Sequence, residues 1–249
     1  MSTARTDVSR DEDTAKERKV QLTFAGCGGM YNYALGVAAV IQSKFVLDNV
    51  VIAGSSAGCF PAMLLALGLD VRTLFESWNI PFLQEVNSKW MGALTNWNGI
   101  VRKWTMKQLP KDAYKRLNGR FHVSHSNVHF SRCSYSLSNN MVSDWQSNND
   151  LLDGIIASSF IPLFDIGKMT MKFRGNRVID GSFTNSYPLP LGENVPSLVI
   201  RRDMWRQNKK SWLWCWTDAE WARKQFAWGN EDALANLNYL GSILTPRSI

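Results

Sequence analysis

Histidine and cysteine are scarce in this sequence, which has three of the first and four of the second in 249 residues. The cysteines are widely spaced and form no C-x-x-C pair, so the chain predicts neither a zinc ribbon nor a disulfide framework and suits a reducing compartment. No uninterrupted apolar run reaches the roughly 18 residues that a membrane-spanning helix requires. We therefore expect neither a structural disulfide nor a transmembrane segment.

The N-terminal residues also lack the apolar segment of a signal peptide. Residues 1–19 mix acidic and basic side chains, which predicts a disordered, charged tail. The acidic residues disfavour a transit peptide, although the Ser, Thr and Arg at the start leave organelle import open. Residues 20–200 have the length of one α/β domain, and residues 201–249 predict a basic, Trp-rich segment and a C-terminal helix that pack on the same domain.

The net charge of +7 implies an anionic partner, which charge alone does not identify as nucleic acid or phospholipid. The basic residues form no recognition motif for nucleic acid, so we expect none to bind. Residues 201–216 combine five cationic side chains with four tryptophans, and tryptophan favours the bilayer interface. This tract predicts a lipid-docking surface. The alternative is that some of the tryptophans pack on the sheet while the charges solvate a loop.

Two units of strand, glycine-rich turn and helix open the ordered part of the chain. They comprise, in order, residues 20–24, 25–29 and 33–41, then residues 50–53, 54–58 and 60–69. Such a repeat predicts a parallel sheet. Further along we expect a mostly helical region at 71–120, two or three strands within 120–145, a short helix at 151–159, strands at 177–180 and 198–200, and a helix from a capping box at Thr217–Glu220 toward Leu240.

The pentapeptide Gly54-Ser55-Ser56-Ala57-Gly58 fits G-x-S-x-G, in which a sharp turn between strand and helix exposes the middle serine. Its place after an apolar strand and before an apolar helix is the context that the motif requires. We therefore interpret Ser56 as a nucleophile. The alternative is a tight helix N-terminus in which the serines only cap.

A nucleophilic serine needs a base, and the usual histidine position late in the chain is empty. The three histidines, His122, His125 and His129, fall on a predicted strand, which separates them and disfavours a shared metal site. A buried carboxylate can replace histidine because burial raises its pKa. Asp180 ends a predicted strand and is followed by Gly181, so it is the candidate base. An ordinary Asp-Gly turn is the alternative.

The turn Gly26-Cys27-Gly28-Gly29 precedes a helix and could donate backbone N–H groups to an oxyanion. Phosphate binding is the rival interpretation. A G-x-G-x-x-G fingerprint that starts at Gly26 would need a glycine where this chain has Tyr31, and no P-loop lysine follows. The sequence therefore favours the oxyanion role over a nucleotide site.

Four segments between residues 24 and 188 carry a more specific pattern. They are FAGCGGMYNYALGVAAV (24 to 40), IAGSSAGC (52 to 59), ASSFIPLF (157 to 164) and FRGNRVIDGSFTNSYP (173 to 188). In order and spacing they resemble the patatin-like phospholipases, most closely the branch of adipose triglyceride lipase and adiponutrin. The chain departs from that pattern at Tyr31, where the family usually has a further glycine, and at Ser182.

The resemblance implies an α/β, patatin-like three-layer sandwich with a mainly parallel central sheet. It places a catalytic dyad without histidine on Ser56 and Asp180, and an oxyanion hole on Gly26, Gly28 and Gly29. It implies a serine lipid acyl hydrolase that acts on phospholipid, galactolipid or acylglycerol without a metal or organic cofactor. A transacylase and a catalytically silent lipid-binding protein on the same fold are the alternatives.

From the fold, the charge and the absent signals we expect a cytoplasmic protein that associates peripherally with a membrane or lipid droplet. Its partner would be the lipid substrate at that surface.

Overall fold

The structure is a computed structural model and describes residues 19–88, 93–163, 165, 167–206 and 217–248. Helices α1 to α9 span Tyr31–Lys44, Cys59–Leu67, Val71–Leu74, Ile80–Asn87, Ala93–Gln108, Ala113–Leu117, Asn148–Ser158, Ala219–Ala235 and Leu237–Gly241. Strands β1 to β9 span Val20–Phe24, Phe45–Val46, Val50–Ser55, Phe121–Phe130, Tyr135–Val142, Met171–Phe173, Asn176–Ile179, Ser197–Ile200 and Thr245–Pro246. Residues 1–18 of the predicted tail and residues 207–216 of the basic tract lie outside the described residues.

The central sheet has the strand order β6-β7-β4-β3-β1-β8, with β5 paired to the other edge of β4. Strands β8, β1, β3 and β4 are parallel, while β5, β6 and β7 extend this core with antiparallel pairings. The α/β class and the mainly parallel central sheet are therefore confirmed. The two predicted strand, turn and helix units form β1 to α1 and β3 to α2.

Strand β1 is buried on both faces, although its sequence alternates polar and apolar residues. Leu22 and Phe24 lie in the hydrophobic core. On the opposite face Gln21 donates to the carbonyl of Gly192 at 2.7 Å, and Thr23 donates to the carbonyl of Pro188 at 2.6 Å. The irregular segment that precedes β8 thus provides hydrogen-bond acceptors for both polar side chains. Without these acceptors, the burial of the two donors would be costly.

Strands β3 and β7 meet end to end along one edge of β4, and this arrangement positions the site. Ser55 of β3 pairs with Ser124, and Ile179 of β7 pairs with Ser126 only two residues further along β4. Strand β5 occupies the opposite edge over the same stretch. Because β3 runs parallel and β7 antiparallel to β4, the residues that follow both strands arrive at the same point. Those residues are Ser56 and Asp180.

Helix α8 packs tightly against α1 through two glycines. A Cβ on Gly36 would lie 2.1 Å from the carbonyl oxygen of Phe226, and one on Gly229 would lie 2.1 Å from that of Tyr33. Only glycine permits backbones this close.

The division of the chain at residue 200 stays a prediction.

The middle region is mostly helical, as expected, but contains two irregularities that the sequence pattern did not predict. A π-helical turn, Phe75–Asn79, joins α3 to α4, and Asn96 kinks α5 with φ −160° and ψ 42°.

The capping-box prediction was wrong by one residue. The N-cap of α8 is Asp218, whose carboxylate accepts from the N–H of Trp221 at 2.7 Å, whereas Thr217 makes no cap. Within the described ranges, no helix has the length and hydropathy of a membrane span.

Candidate active site

Ser56 lies at the sharp turn between β3 and α2, with a backbone φ of +54°. This left-handed conformation is uncommon for a residue other than glycine and is costly unless neighbours impose it. The flanking glycines make the turn possible. A Cβ on Gly54 would lie 2.6 Å from the Cα of Cys59, and one on Gly58 would lie 2.4 Å from the carbonyl oxygen of Ala25. The two glycines of the pentapeptide are thus required by close backbone contacts.

Asp180 is in direct contact with the Ser56 hydroxyl. The hydroxyl donates to Oδ2 of Asp180 at 2.5 Å, and the other carboxylate oxygen accepts from the N–H of Ser182 at 2.8 Å. The two side chains are 7% and 4% exposed, respectively. The backbone of Asp180 is fixed as well, because its N–H donates to the carbonyl of Phe160 and its carbonyl accepts from Ser126. The carboxylate therefore has one orientation, directed at the hydroxyl.

Burial raises the pKa of Asp180 above the ordinary 3.8, because desolvation penalises the charged form. Hydrogen bonds from Ser56 and from Ser182 act in the opposite direction but do not reverse the shift. A raised pKa makes the carboxylate a better proton acceptor than an exposed aspartate. This arrangement suits general-base catalysis on the Ser56 hydroxyl.

Ser158 supports the Ser56 turn, a contact that sequence reasoning missed. Its hydroxyl accepts from the N–H of Ser56 at 2.9 Å and from the thiol of Cys59 at 3.3 Å, and it donates to the carbonyl of Ser124 at 2.5 Å. These bonds satisfy the backbone of the strained turn. Ser158 belongs to the segment ASSFIPLF, but it lies 102 residues from Ser56, so only the folded chain reveals the contact.

The cysteine of the glycine-rich turn is not a competing nucleophile. Burial raises the pKa of the Cys27 thiol to about 12, so the thiol is protonated at neutral pH.

The three predicted oxyanion glycines occupy different environments. The N–H of Gly26 faces the carbonyl of Ser186 at 3.4 Å, and a Cβ there would lie 1.9 Å from the hydroxyl oxygen of Ser182. Gly26 therefore provides space beside the site. Gly28, with φ +49°, and Gly29 line the same pocket as Ser56. Of the three predicted glycines, Gly28 and Gly29 are therefore the two that line this pocket.

Tyr31, the departure from the family pattern, begins helix α1 in an ordinary helical conformation with φ −61°. Its backbone therefore has no need of glycine. The phenol donates to Oδ1 of Asn79 at 2.8 Å, and the side chain forms part of the pocket wall. The substitution thus changes the wall of the pocket and leaves the conformation of the turn unchanged.

The pocket beside Ser56 is apolar and partly open to solvent. Its wall is formed largely by Phe60, Trp78, Phe82, Trp97, Val101 and Ile161. The rings of Phe82 and Trp97 pack edge to face at 5.5 Å. Among the described lining residues none is charged. A wall of this composition suits an apolar ligand group.

The histidines bond elsewhere. His122 contacts the carbonyl of Gly119, and His125 and His129 pair with side chains of β5. All three lie on strand β4, as predicted. In the part of the chain that the structure describes, no cluster of three His, Cys, Asp or Glu side chains could hold a metal ion.

Comparisons with known proteins identify similar sequences. The sequence matches a family model described as patatin-like phospholipase over residues 22–191. Human patatin-like phospholipase domain-containing protein 4 is 30% identical over 185 residues, which cover 72% of this chain and 70% of the relative. Mouse 1-acylglycerol-3-phosphate O-acyltransferase Pnpla3 is 27% identical, with 70% and 41% covered. Mouse omega-hydroxyceramide transacylase is 29% identical, with 67% and 28% covered. The matched part of the chain thus spans less than half the length of the last two relatives.

Proposed function

This chain belongs to the patatin-like phospholipase family, and on that premise we propose that it is a serine lipid acyl hydrolase that cleaves fatty acyl esters of glycerolipids. One observation carries the proposal. The hydroxyl of Ser56 donates at 2.5 Å to the buried carboxylate of Asp180, at the wall of an apolar pocket. A serine that faces a base with a raised pKa is an activated nucleophile.

The proposed reaction begins when Asp180 accepts the Ser56 proton while Oγ attacks the ester carbonyl carbon. The backbone N–H groups of Gly28 and Gly29 are the proposed donors to the oxyanion. Collapse of the tetrahedral intermediate breaks the bond to the alcohol oxygen, which takes the proton from Asp180. The acyl-enzyme is then attacked by water that Asp180 deprotonates, and the fatty acid leaves as Ser56 recovers its proton.

A transacylase is the second candidate function, because two relatives carry the names acyltransferase and transacylase. In that case a lipid alcohol replaces water in the second half of the reaction, and the residues keep the same roles. The decision depends on which acceptor reaches the acyl-enzyme.

A panel of acyl donors tests the proposal. The protein is mixed with phospholipid, galactolipid and acylglycerol, each with and without a monoacylglycerol acceptor, and free fatty acid and new esters are separated chromatographically. We expect free fatty acid from at least one donor. New ester at the expense of fatty acid would indicate the transacylase, and lipid binding without turnover would indicate a catalytically silent protein.

Replacement of Gly28 by valine is expected to lower kcat on the order of 10²-fold, with a much smaller change in KM, as for loss of one oxyanion donor. Gly28 has φ +49°, which a β-branched residue does not tolerate, so the turn and its donors must move. Asparagine adopts this conformation more readily, and Gly28→Asn should retain more activity. Equal kcat values for Gly28→Val and the parent would place the oxyanion donors elsewhere.

Peripheral binding to an anionic lipid surface is proposed through the tract at residues 201–216. Trp205 packs edge to face on Tyr239, and Arg206 pairs with Asp232 at 2.9 Å, so these two side chains are anchored to the domain. Arg201 and Arg202 precede this anchor, while Lys209 and Lys210 lie outside the described residues. The proposal depends on these four cations.

Changing Arg201, Arg202, Lys209 and Lys210 together to Gln is expected to weaken binding to vesicles of phosphatidylserine and phosphatidylcholine at least about tenfold. The reason is that each cation near an anionic leaflet contributes about 1 kcal/mol. Binding of the parent should also fall with salt. Sedimentation with vesicles measures both effects. The control changes four lysines that are exposed elsewhere on the described surface to Gln, namely Lys44, Lys111, Lys115 and Lys224. Equal loss in both variants would contradict a local docking surface.

A further inference from the structure

Two buried polar atoms of the pocket wall have no hydrogen-bond partner among the described residues, Nε1 of Trp78 and Oγ1 of Thr105. Trp78 is 4% and Thr105 is 1% exposed, and both line the same pocket as Ser56. An unpaired buried donor destabilises the folded state relative to a paired one. Most such groups in proteins are paired, so two in one pocket call for an explanation.

The neighbouring buried polar groups show how completely this region is otherwise satisfied. Tyr31 donates to Asn79, the Asn79 amide donates to Asn32 at 2.7 Å, and the Asn32 amide donates to Gln225 at 3.0 Å. This series of hydrogen bonds thus links α1, the π-helical turn and α8. Trp78, adjacent to Asn79, stands outside this network.

Local backbone groups do not satisfy Thr105 either. A threonine inside a helix often donates to the carbonyl four residues earlier, but no such bond is present here. Thr105 follows Trp97 and Val101 at intervals of four along α5, so the three side chains share the helix face that lines the pocket. Valine would fill the same position in an entirely apolar wall.

We propose that Trp78 and Thr105 form a subsite that binds a hydroxyl group of the lipid held in the pocket. An indole N–H only donates, whereas a threonine hydroxyl donates and accepts. A ligand hydroxyl complements either atom, because its oxygen can accept from Trp78 and its proton can be donated to Thr105. A hydrocarbon chain offers neither. The inference rests on the proposed function, which places the lipid in this pocket.

The hydroxyl can come from the acyl chain or from the glycerol, and paired ligands separate the sources. The first pair is 12-hydroxyoctadecanoate and octadecanoate; the second is 1-monooctadecanoylglycerol and methyl octadecanoate. Binding is measured by displacement of a fluorescent fatty acid from Ser56→Ala, which removes turnover from the measurement. We expect the hydroxylated member of at least one pair to bind about tenfold more tightly, the effect of roughly one net hydrogen bond.

Two substitutions at Thr105, each made in the Ser56→Ala protein, decide the outcome. Thr105→Val keeps the shape of the side chain and removes its hydroxyl, so the ratio of the two affinities in a ligand pair should fall toward one. Thr105→Ser keeps the hydroxyl and should keep the preference for the hydroxylated ligand. Octadecanoate should bind all three proteins alike. Absence of a preference in both pairs, or its persistence in Thr105→Val, overturns the subsite. Hydrolysis of 1-monooctadecanoylglycerol by the parent is measured separately, so failure of the proposed function is distinguished from failure of the subsite.

Discussion

Ser56→Ala is expected to reduce ester hydrolysis at least about 10⁴-fold, to the background rate, as loss of a serine nucleophile does in other hydrolases. The hydroxyl is the group proposed to form the acyl-enzyme, and the Cys27 thiol does not replace it, since burial keeps this thiol protonated. The free energy of unfolding should change by no more than about 2 kcal/mol, because one hydrogen bond to Asp180 is lost. Fatty acid release and urea unfolding measure the two effects.

Ser55 provides the matched control for this substitution. It is the adjacent serine of the same pentapeptide and is equally buried, but its hydroxyl lies 3.5 Å from that of Ser182 and not at Asp180. Ser55→Ala should therefore retain most of the activity. Hydrolysis that survives in Ser56→Ala, or that disappears equally in Ser55→Ala, would contradict the assignment of the nucleophile.

Asp180→Asn is expected to lower kcat by on the order of 10³-fold or more, because the serine loses its base. Stability should behave differently from activity. Burial raises the pKa of Asp180 in the folded protein above the ordinary 3.8. As pH rises from 3.8 through that raised pKa, the folded state holds its proton longer than the unfolded state, so ionisation costs stability. Asparagine carries no such cost.

The unfolding free energy of Asp180→Asn relative to the parent should therefore be smallest at low pH and increase as pH rises through this window. The amide can keep both contacts, since its oxygen accepts from Ser182 and its nitrogen donates to Ser56. The acid limb of kcat/KM in the parent should lie above pH 3.8 for the same reason. Asp48→Asn is the control, because this residue is exposed. A relative stability that falls with pH, or full activity in Asp180→Asn, would contradict the account.

The local part of the site was predictable from the sequence, because strand, glycine turn and helix follow from neighbouring residues. The pentapeptide around Ser56 has the expected conformation for this reason. The contact with Asp180 depends instead on how β3 and β7 meet along β4. The strand end at Asp180 made this carboxylate the candidate base, and the resemblance to the family placed it in a dyad with Ser56; neither gave the way in which the two strands meet.

Features that depend on tertiary packing could not be predicted from the sequence. The roles of Gly26 and Ser158 follow from contacts with residues far along the chain, Ser182 and Ser56 respectively. The N-cap of α8 differed by one residue because Thr217 and Asp218 are both good caps, and only the folded backbone chooses between them. The π-helical turn has no periodic signature, yet it places Trp78 and Asn79 in the pocket wall.

Labelling with a fluorophosphonate tests the central claim most directly, because the reagent forms a stable bond from phosphorus to an activated serine oxygen and releases fluoride. Intact mass and peptide mapping locate the adduct. We expect one adduct on the parent, at Ser56, none on Ser56→Ala, and much slower labelling of Asp180→Asn. A parent protein that stays unlabelled, or an adduct on any other residue, would contradict a Ser56 nucleophile activated by Asp180.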